Sequence, residues 1–168
     1  MDDAAIRPAR AEDGPTVLAI LNEAAAWLRL RGVAQWPPVF EPGWIEPALG
    51  GGHVWLVEVG GEGLATMSVT WSDRLWPDDG TAGYVHRLAA RRRAPGLGAW
   101  LLGQADRIVA ARGRTHLRLD CVAANTRLRR FYEGLGFAYR GEVEFPRAEL
   151  LWSTAPLLVS QYERAVAR

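Results

Sequence analysis

Arg93-Ala94-Pro95-Gly96-Leu97-Gly98 is the stretch of this 168-residue chain that decides the fold. It follows a strand-like run at 84–90 and precedes a helix-like run at 99–112, so a glycine-rich turn joins a strand to a helix. Glycine lets the backbone approach a ligand closely, and the free N–H groups at the start of a helix point at a bound anion. The stretch therefore predicts a turn that can hold a phosphate.

The glycine spacing argues against two common phosphate-binding motifs. The dinucleotide fingerprint needs a third glycine where this chain has Leu101, and the nucleotide P-loop needs a lysine, which the chain lacks altogether. The absence of lysine also excludes a lysine Schiff base. The pattern that remains is Arg-x-x-Gly-x-Gly between a strand and a helix.

A second motif lies downstream, where a strand-like run at 115–123 is followed by Asn125-Thr-Arg-Leu-Arg-Arg-Phe-Tyr-Glu-Gly-Leu-Gly-Phe137. In this order and at this separation, the two motifs resemble the hallmarks of the GNAT family of N-acetyltransferases. The resemblance covers nearly the whole chain in the order of its elements. It implies an acetyltransferase that uses acetyl-coenzyme A (acetyl-CoA) and holds the pyrophosphate of the cofactor in the glycine-rich loop.

The remaining pattern predicts an α/β protein with a mixed (α+β) sheet of about seven strands and about four helices on both faces. We expect strands at 4–8, 53–59, 64–71, 84–90, 115–123, 137–145 and 157–164, and helices at 14–32, 44–49, 99–112 and after Asn125. Gly60-Gly61-Glu62-Gly63 is typical of a hairpin turn. No linker or repeat divides the chain, so 1–168 is predicted to be a single domain. The resemblance implies that the fourth and fifth strands splay apart and that the pantetheine arm lies in the gap.

Composition favours a soluble intracellular protein. The chain is 49% hydrophobic and 23% charged, as is common for globular domains, and its net charge of +1 offers little attraction to nucleic acid. A single cysteine excludes an internal disulfide framework, and the Cys/His spacings of zinc sites are missing. Neither a signal peptide nor an apolar run long enough for a membrane span is visible. We therefore expect a cytoplasmic protein with no metal, nucleic-acid or membrane partner.

Acyl transfer to an amine requires a base, because an amine with a pKa of about 8 to 10 is mostly protonated at neutral pH. Strand alternation predicts one shared face for Tyr84, His86, Leu88 and Ala90. In several members of the resembled family a carboxylate takes the place that His86 holds here, and imidazole suits the task. A histidine that is only hydrogen-bonded in the sheet or faces solvent is an equal alternative. Reserve candidates for the base are Asp78, Asp79 and Glu142.

The resemblance also suggests a proton donor and a set of cofactor contacts. Tyr132 matches the tyrosine that often protonates the departing thiolate in the family, although it could also be an ordinary core aromatic residue. The cofactor-binding positions implied by the resemblance are Leu88, Ala90, Arg93, Ala94, Gly96, Leu97, Gly98, Ala99 and Asn125. The side chains of Asn125 and Tyr132 are both expected to point at the cofactor. A backbone N–H near Leu88 is expected to polarise the thioester carbonyl.

Other features leave alternatives open. Four tryptophans either wall an acceptor pocket or pack into the core and loops: Trp27, Trp36, Trp44 and Trp76. Cys121 is expected to be a buried residue rather than an acyl carrier. Pro95 has no N–H to offer a pyrophosphate, which keeps a second hypothesis open: a non-catalytic module that binds coenzyme A (CoA) or another small ligand as a sensor or partner.

The acceptor is expected to be a small-molecule amine or a peptide. Asp78 and Asp79 would favour polyamines or aminoglycosides, whereas the tryptophans would favour arylamines or hydrophobic amino acids. A homodimer contact is a further expectation, and it rests on an apolar segment made of Leu150, Leu151 and Trp152.

Overall fold

The computed structural model describes residues 3–77, 79–145 and 157–166. In chain order its elements are β1 (Ala4–Pro8), α1 (Gly14–Leu30), α2 (Glu46–Gly50), β2 (Val54–Val59), β3 (Glu62–Thr70), β4 (Ala82–Ala90), α3 (Leu97–Ala111), β5 (His116–Val122), α4 (Thr126–Gly134), β6 (Ala138–Phe145) and β7 (Leu157–Ala165). The expected strands and helices are present, with ends within two residues of the predicted ones. The reserve base Asp78 and the proposed dimer segment, 150–152, lie outside the described residues.

The strands form one seven-stranded sheet in the order β1-β2-β3-β4-β5-β7-β6. β4 and β5 run parallel, and the other neighbouring pairs are antiparallel. Gly60 and Gly61 join β2 to β3, and their φ values of 58° and 80° are typical of a two-residue type I′ hairpin. The mixed sheet and the hairpin confirm the sequence prediction.

Helices cover both faces of the sheet. Ile20 and Leu21 of α1 pack with Leu56 of β2 in one buried cluster, to which α2 also contributes. Leu101 of α3 packs with Val57 in a second cluster that includes side chains of α4. Consecutive strand residues point to opposite faces, so Leu56 and Val57 belong to different sides of the sheet. Within the described ranges, no helix combines the length and apolar character needed to span a membrane.

The two parallel strands are paired at one end and separated at the other. Residues 82–85 of β4 pair with residues 116–119 of β5, and the pairing ends there. β5 continues along β7 as far as Val122, while β4 continues along β3 as far as Ala90. The strands therefore part after Val85, which confirms the splay expected between the fourth and fifth strands.

A β-bulge lies where this separation begins. The pairing of Ser68 with His86 is followed by that of Thr66 with Ala89, which leaves one extra residue in β4. Arg87 occupies the bulge with a φ of +51°, in the left-handed region. An extra residue of this kind bends a strand and redirects the side chains beyond it.

The bulge changes which side chains of β4 share a face. Leu88 and Ala90 pack against the cluster under α3, on the same side as Val85. His86 instead lies on the side of Tyr84, because the bulge comes after it. The prediction that all four alternate residues from 84 to 90 share one face is therefore wrong, since one inserted residue reverses the alternation.

Candidate active site

The gap between β4 and β5 opens into a cavity of about 550 Å³. Its wall combines the loop before α2, the strands β3 to β5 and the helix α4. Trp36 and Trp44 line the cavity, as expected if tryptophans form the wall of a pocket. Trp76 is instead buried beside Tyr84, and Trp27 lies on α1 and is not among the lining residues. Polar and aromatic side chains therefore meet in the place where the sheet is open.

The glycine-rich loop follows β4 directly and leads into α3. Gly96 caps the helix with a φ of +86°, which glycine adopts without strain. The first N–H groups of an α-helix have no partner within the helix, so those of Gly98 and Ala99 face outward at its N-terminus. The N–H of Ala94, in contrast, donates to the carbonyl oxygen of Arg91 at 3.0 Å. Ala94 was expected to be a pyrophosphate donor, but the turn already uses its N–H.

The arginines before the loop differ in their contacts. Arg93 forms an ion pair with Glu62. The guanidinium of Arg91 lies 2.8 Å from a carboxylate oxygen of Glu23, and the other oxygen of Glu23 accepts the backbone N–H of Arg92 at 2.9 Å. The side chains of Arg91 and Arg93 are thus paired with carboxylates, whereas the guanidinium of Arg92 lies over the ring of Trp27.

Trp27 lies beside this loop and is surrounded by three guanidinium groups. Arg92, Arg31 and Arg127 lie 4.1, 4.6 and 5.6 Å from the centre of its indole ring. Cation–π attraction holds such groups together without neutralising their charge. Trp27 and Arg31 are one helical turn apart, which the sequence could have revealed, but Arg92 and Arg127 reach the cluster only through the fold.

Three apolar positions of the expected cofactor set differ in exposure. Leu88 lines the cavity, whereas Ala90 is partly buried against the cluster under α3. Leu97 is 3% exposed and packs in the same cluster. Its side chain therefore belongs to the core, and its backbone N–H donates to the carbonyl oxygen of Ala94 at 3.4 Å, so neither group of Leu97 is free for the cofactor contact that was expected.

His86 lies on the cavity wall close to a carboxylate that the sequence analysis did not single out. Its Nε2 atom is 3.0 Å from Oγ1 of Thr70 and 3.5 Å from Oδ2 of Asp73. Burial lowers the pKa of His86, while the Asp73 carboxylate acts in the opposite direction by favouring imidazolium. The imidazole is therefore largely neutral at neutral pH and can accept a proton.

Asp120 adds a second carboxylate to this place. A side-chain oxygen or nitrogen of each of Asp73, His86 and Asp120 lies within 4.8 Å of the others. Burial, together with the charge of Asp73, raises the pKa of Asp120 to about 6. Asp120 takes an ordinary polar position in the apolar–polar alternation of β5, between Leu119 and Cys121, so the sequence pattern offered no signal for it. Asp73 lies in a loop and offered none.

The described reserve candidates for the base lie outside this cluster. Asp79 accepts a hydrogen bond from Arg118 at 2.7 Å, which holds the pKa of Asp79 well below its usual range. Glu142 lies 3.5 Å from Arg129 and accepts a hydrogen bond from the hydroxyl of Ser160 at 3.2 Å. Both carboxylates belong to ion pairs away from the cavity, so neither is positioned to act as the base.

Tyr132 of α4 lines the same cavity as His86. Its ring packs against Phe131, Phe137 and Tyr162, with centroid separations of 5.7, 5.8 and 5.9 Å. Its hydroxyl makes no hydrogen bond to any residue in the described ranges. Burial raises the pKa of Tyr132 well above its usual range, so the phenol is protonated at neutral pH.

Asn125 is engaged by the protein itself. Its Oδ1 accepts the N–H of Leu128 at 3.2 Å as the N-cap of α4, and its Nδ2 donates to Oε1 of Gln35 at 2.7 Å. Gln35 belongs to the loop that lines the cavity. Asn125 thus fastens this loop to α4, and both of its polar groups already have partners where a cofactor contact was expected.

Sequence comparison gives a family match. Residues 19–137 match the model of a family described as "Acetyltransferase (GNAT) family". The chain is 35% identical over 146 residues to YesJ of Bacillus subtilis (strain 168), an uncharacterized N-acetyltransferase, and the match covers 80% of this chain and 81% of that protein.

Solved structures share the fold. An acetyltransferase of the GNAT family from Listeria monocytogenes 4b F2365 has a TM-score of 0.73 at 22% identity, covering 96% of this chain and 94% of that one. The structure of yncA from Salmonella typhimurium with its cofactor acetyl-CoA has a TM-score of 0.69 at 16% identity, covering 98% and 95%. The family match over most of the chain, together with the similarity to YesJ, shows that this chain belongs to the GNAT family of acetyltransferases.

Proposed function

We propose that the protein transfers an acetyl group from acetyl-CoA to a primary amine by direct attack in a ternary complex. The observation that carries the proposal is the cavity in the gap between β4 and β5, which has His86 and Tyr132 on its wall. The loop that continues β4 ends at the N-terminus of α3, so a site for an anion adjoins a site for proton transfer.

The residues around the gap fit acetyl-CoA. The left-handed Gly96 and the outward N–H groups of Gly98 and Ala99 support binding of the pyrophosphate. The guanidinium groups around Trp27 add positive charge beside the loop. Beyond Val85, the backbone of β4 no longer pairs with β5, and an N–H near the Leu88 position is proposed to polarise the thioester carbonyl. Acetyl-CoA supplies the activated acetyl carbon that the amine attacks.

His86 is proposed to be the general base. The amine nitrogen forms its new bond to the acetyl carbon while its proton passes to Nδ1 of His86, directly or through a water molecule, because Nε2 faces acceptor oxygens of Thr70 and Asp73 and carries the proton of the neutral ring. Asp73 favours the imidazolium that results, because its carboxylate lies 3.5 Å from Nε2 on the other side of the ring. Asp73 therefore acts through His86 as a positioning residue.

Tyr132 is proposed to donate a proton to the sulfur as the carbon–sulfur bond breaks. The hydroxyl has no competing acceptor in the described part of the chain, and burial keeps it protonated. The products are an N-acetylated amine and free CoA thiol, and the two proton transfers balance because the base gains one proton while the acid loses one.

A non-catalytic module that binds CoA is the second candidate. It is favoured by the loop itself, because Pro95 has no N–H and the N–H of Ala94 is already bonded to Arg91. Both candidates predict binding of CoA, but only the enzyme releases thiol continuously when an amine is added.

The test begins with calorimetric titration of acetyl-CoA and CoA into the wild-type protein, Gly96→Glu and Gly113→Glu. Gly96→Glu places a side chain in the phosphate turn, and we expect micromolar binding to be lost. Gly113 is a matched control, because its φ is +75° and a Cβ there meets nothing within 4 Å at the far end of α3. If Gly96→Glu loses binding and Gly113→Glu retains it, the effect comes from the loop and not from strain at a positive φ.

The second part of the test measures release of CoA thiol from acetyl-CoA with a panel of primary amines. Turnover by the wild-type protein that falls in Tyr132→Phe supports the transferase. Binding of acetyl-CoA without turnover of any amine would favour the non-catalytic module, and absence of binding to the wild type would contradict both candidates.

A further inference from the structure

Arg87 is a charged residue in the wall of the cavity. It is partly buried and makes no hydrogen bond or ion pair with any residue that the structure describes. Two other arginines with little solvent exposure form ion pairs with carboxylates: Arg118 lies 2.7 Å from Glu163, and Arg164 lies 2.7 Å from Asp106. A charge withdrawn from water is unfavourable unless a partner compensates it. A negatively charged group of a bound ligand would therefore compensate the charge of Arg87.

The backbone at Arg87 supports the same conclusion. Its φ of +51° lies in a region that glycine enters freely and that other L-residues rarely adopt. Strain of this kind persists where the surrounding structure imposes it, and it concentrates at ligand sites. The bulge thus holds a long, charged side chain at the cavity at the expense of local stability.

The cavity consequently has groups of opposite charge and an apolar wall. Arg87 contributes positive charge next to His86, and it favours the neutral imidazole there. Asp73 and Asp120 contribute carboxylates close to the same imidazole. The aromatic wall consists of Trp36, Phe40 and Trp44, whose rings meet edge to face.

We propose that the acceptor is an amine that carries a carboxylate beside its amino group, as a free amino acid with an apolar side chain does. This inference rests on the proposed acetyl transfer. Arg87 binds the carboxylate, Asp73 and Asp120 attract the ammonium group next to His86, and the aromatic wall contacts the apolar side chain. Polyamines, aminoglycosides, arylamines and the side chain of a protein lysine lack this carboxylate and leave Arg87 unpaired.

The experiment compares matched acceptors in the thiol-release assay. L-leucine, L-methionine and L-phenylalanine are each tested beside the corresponding amino-acid amide and the decarboxylated amine. The amide has the more reactive amino group at neutral pH, so a preference for the free acid reports recognition of the carboxylate. We expect kcat/KM for at least one free acid to exceed that for its amide by about tenfold or more.

Variants of Arg87 then assign the preference. Arg87→Gln is expected to remove the advantage of the free acid, mainly through a higher KM for that acceptor and with an unchanged KM for acetyl-CoA. Arg87→Gly provides a second variant that relaxes the left-handed backbone, so the loss of preference is measured in a chain without strain at this position. Arg107→Gln is the matched control, because Arg107 is exposed on α3 away from the cavity.

The outcomes separate this inference from the function on which it rests. Equal or faster turnover of the amides or decarboxylated amines by the wild type overturns the inference and leaves acetyl transfer standing. A higher KM for acetyl-CoA in Arg87→Gln, with the acceptor preference retained, overturns it by placing Arg87 on the cofactor. Absence of thiol release with every amine, although acetyl-CoA binds, contradicts the transferase itself and the inference with it.

Discussion

The paired and the separated halves of β4 and β5 belong to the same strands but have opposite properties. In the paired half, Gly83 lies so close to α3 that a Cβ added to it would be 2.3 Å from Cγ2 of Val109. In the separated half, His86, Arg87 and Asp120 are partly exposed around a cavity. The same two strands thus combine a close-packed region with a region open to ligands.

The difference has a physical cause in the use of backbone groups. Where two strands pair, their facing N–H and C=O groups are consumed by the ladder, and packing of helices on the sheet excludes water. Where the pairing stops after Val85, the facing groups become available to a ligand. Substitutions in the separated half should therefore change activity, and substitutions in the paired half should change stability.

His86→Gln is expected to have the largest effect on activity. Loss of a general base typically lowers kcat/KM by about 100- to 10,000-fold, and His86 lines the cavity as the proposed base. The free energy of unfolding should change little, because His86 is only partly buried. Thiol-release kinetics and urea denaturation measure the two quantities. Near-normal turnover in the variant would assign the base to another group.

Asp73→Asn sharpens this prediction through the pH dependence of kcat/KM. The neutral imidazole is the active form of the base, so activity rises as the pH passes through the pKa of His86. Asp73 favours imidazolium, and its removal lowers the pKa of His86 further. The acidic limb of the profile should therefore move to lower pH, even as the maximal rate falls. A movement to higher pH would show that Asp73 does not act on His86 in this way.

Tyr132→Phe is expected to lower kcat by a smaller factor of about 10 to 100. The effect is smaller because a thiol has a pKa near 8.5, which makes its thiolate a fair leaving group even without an acid. Stability should be unchanged, because the ring contacts remain and the hydroxyl has no hydrogen bond to lose in the described part of the chain. Single-turnover kinetics check the chemical step. An unchanged rate would make Tyr132 a packing residue only.

Gly83→Ala tests the paired half, and its effect should appear in stability. Its new methyl group would overlap Val109, so β4 and α3 must move apart, at a cost of about 1 to 3 kcal/mol. Gly103→Ala is the matched control, because a Cβ there meets nothing within 4 Å and lies inside α3. Alanine should stabilise that position by about 0.5 to 1 kcal/mol through its higher helix propensity. Equal effects of the two substitutions in urea denaturation would contradict the close packing.

The order of elements was predictable because it depends on local patterns. The apolar runs of the strands, the pair Gly60–Gly61 and the glycine-rich loop before α3 each carry their own signal, and the structure confirms the elements they predict. The bulge at Arg87 could not be predicted, because its left-handed backbone depends on how β4 pairs with β3 and leaves β5. One inserted residue was enough to make the predicted face of β4 wrong.

The residues that surround His86 could not be predicted from the sequence for a similar reason. Asp73 lies beside His86 in a loop that also makes hydrogen bonds to residues distant in the chain. Arg118 of β5 bonds to Asp79 at 2.7 Å, and Gln161 of β7 donates to the carbonyl oxygen of Leu75 at 2.7 Å. These contacts join residues 39 and 86 positions apart in the chain, so no local sequence pattern predicts them.

Cys121→Ala should have the smallest effect of these substitutions. Cys121 lines the cavity but is 2% exposed, and burial, together with the Asp120 carboxylate, raises the pKa of its thiol to about 12. Almost no thiolate exists at neutral pH, so an acyl-cysteine intermediate has no nucleophile, and kcat/KM should stay within about twofold of the wild type. Intact-protein mass spectrometry after incubation with acetyl-CoA should show no acetyl group on the wild-type cysteine. An acetylated Cys121 that loses its acetyl group when an amine is added would replace direct attack with a two-step transfer.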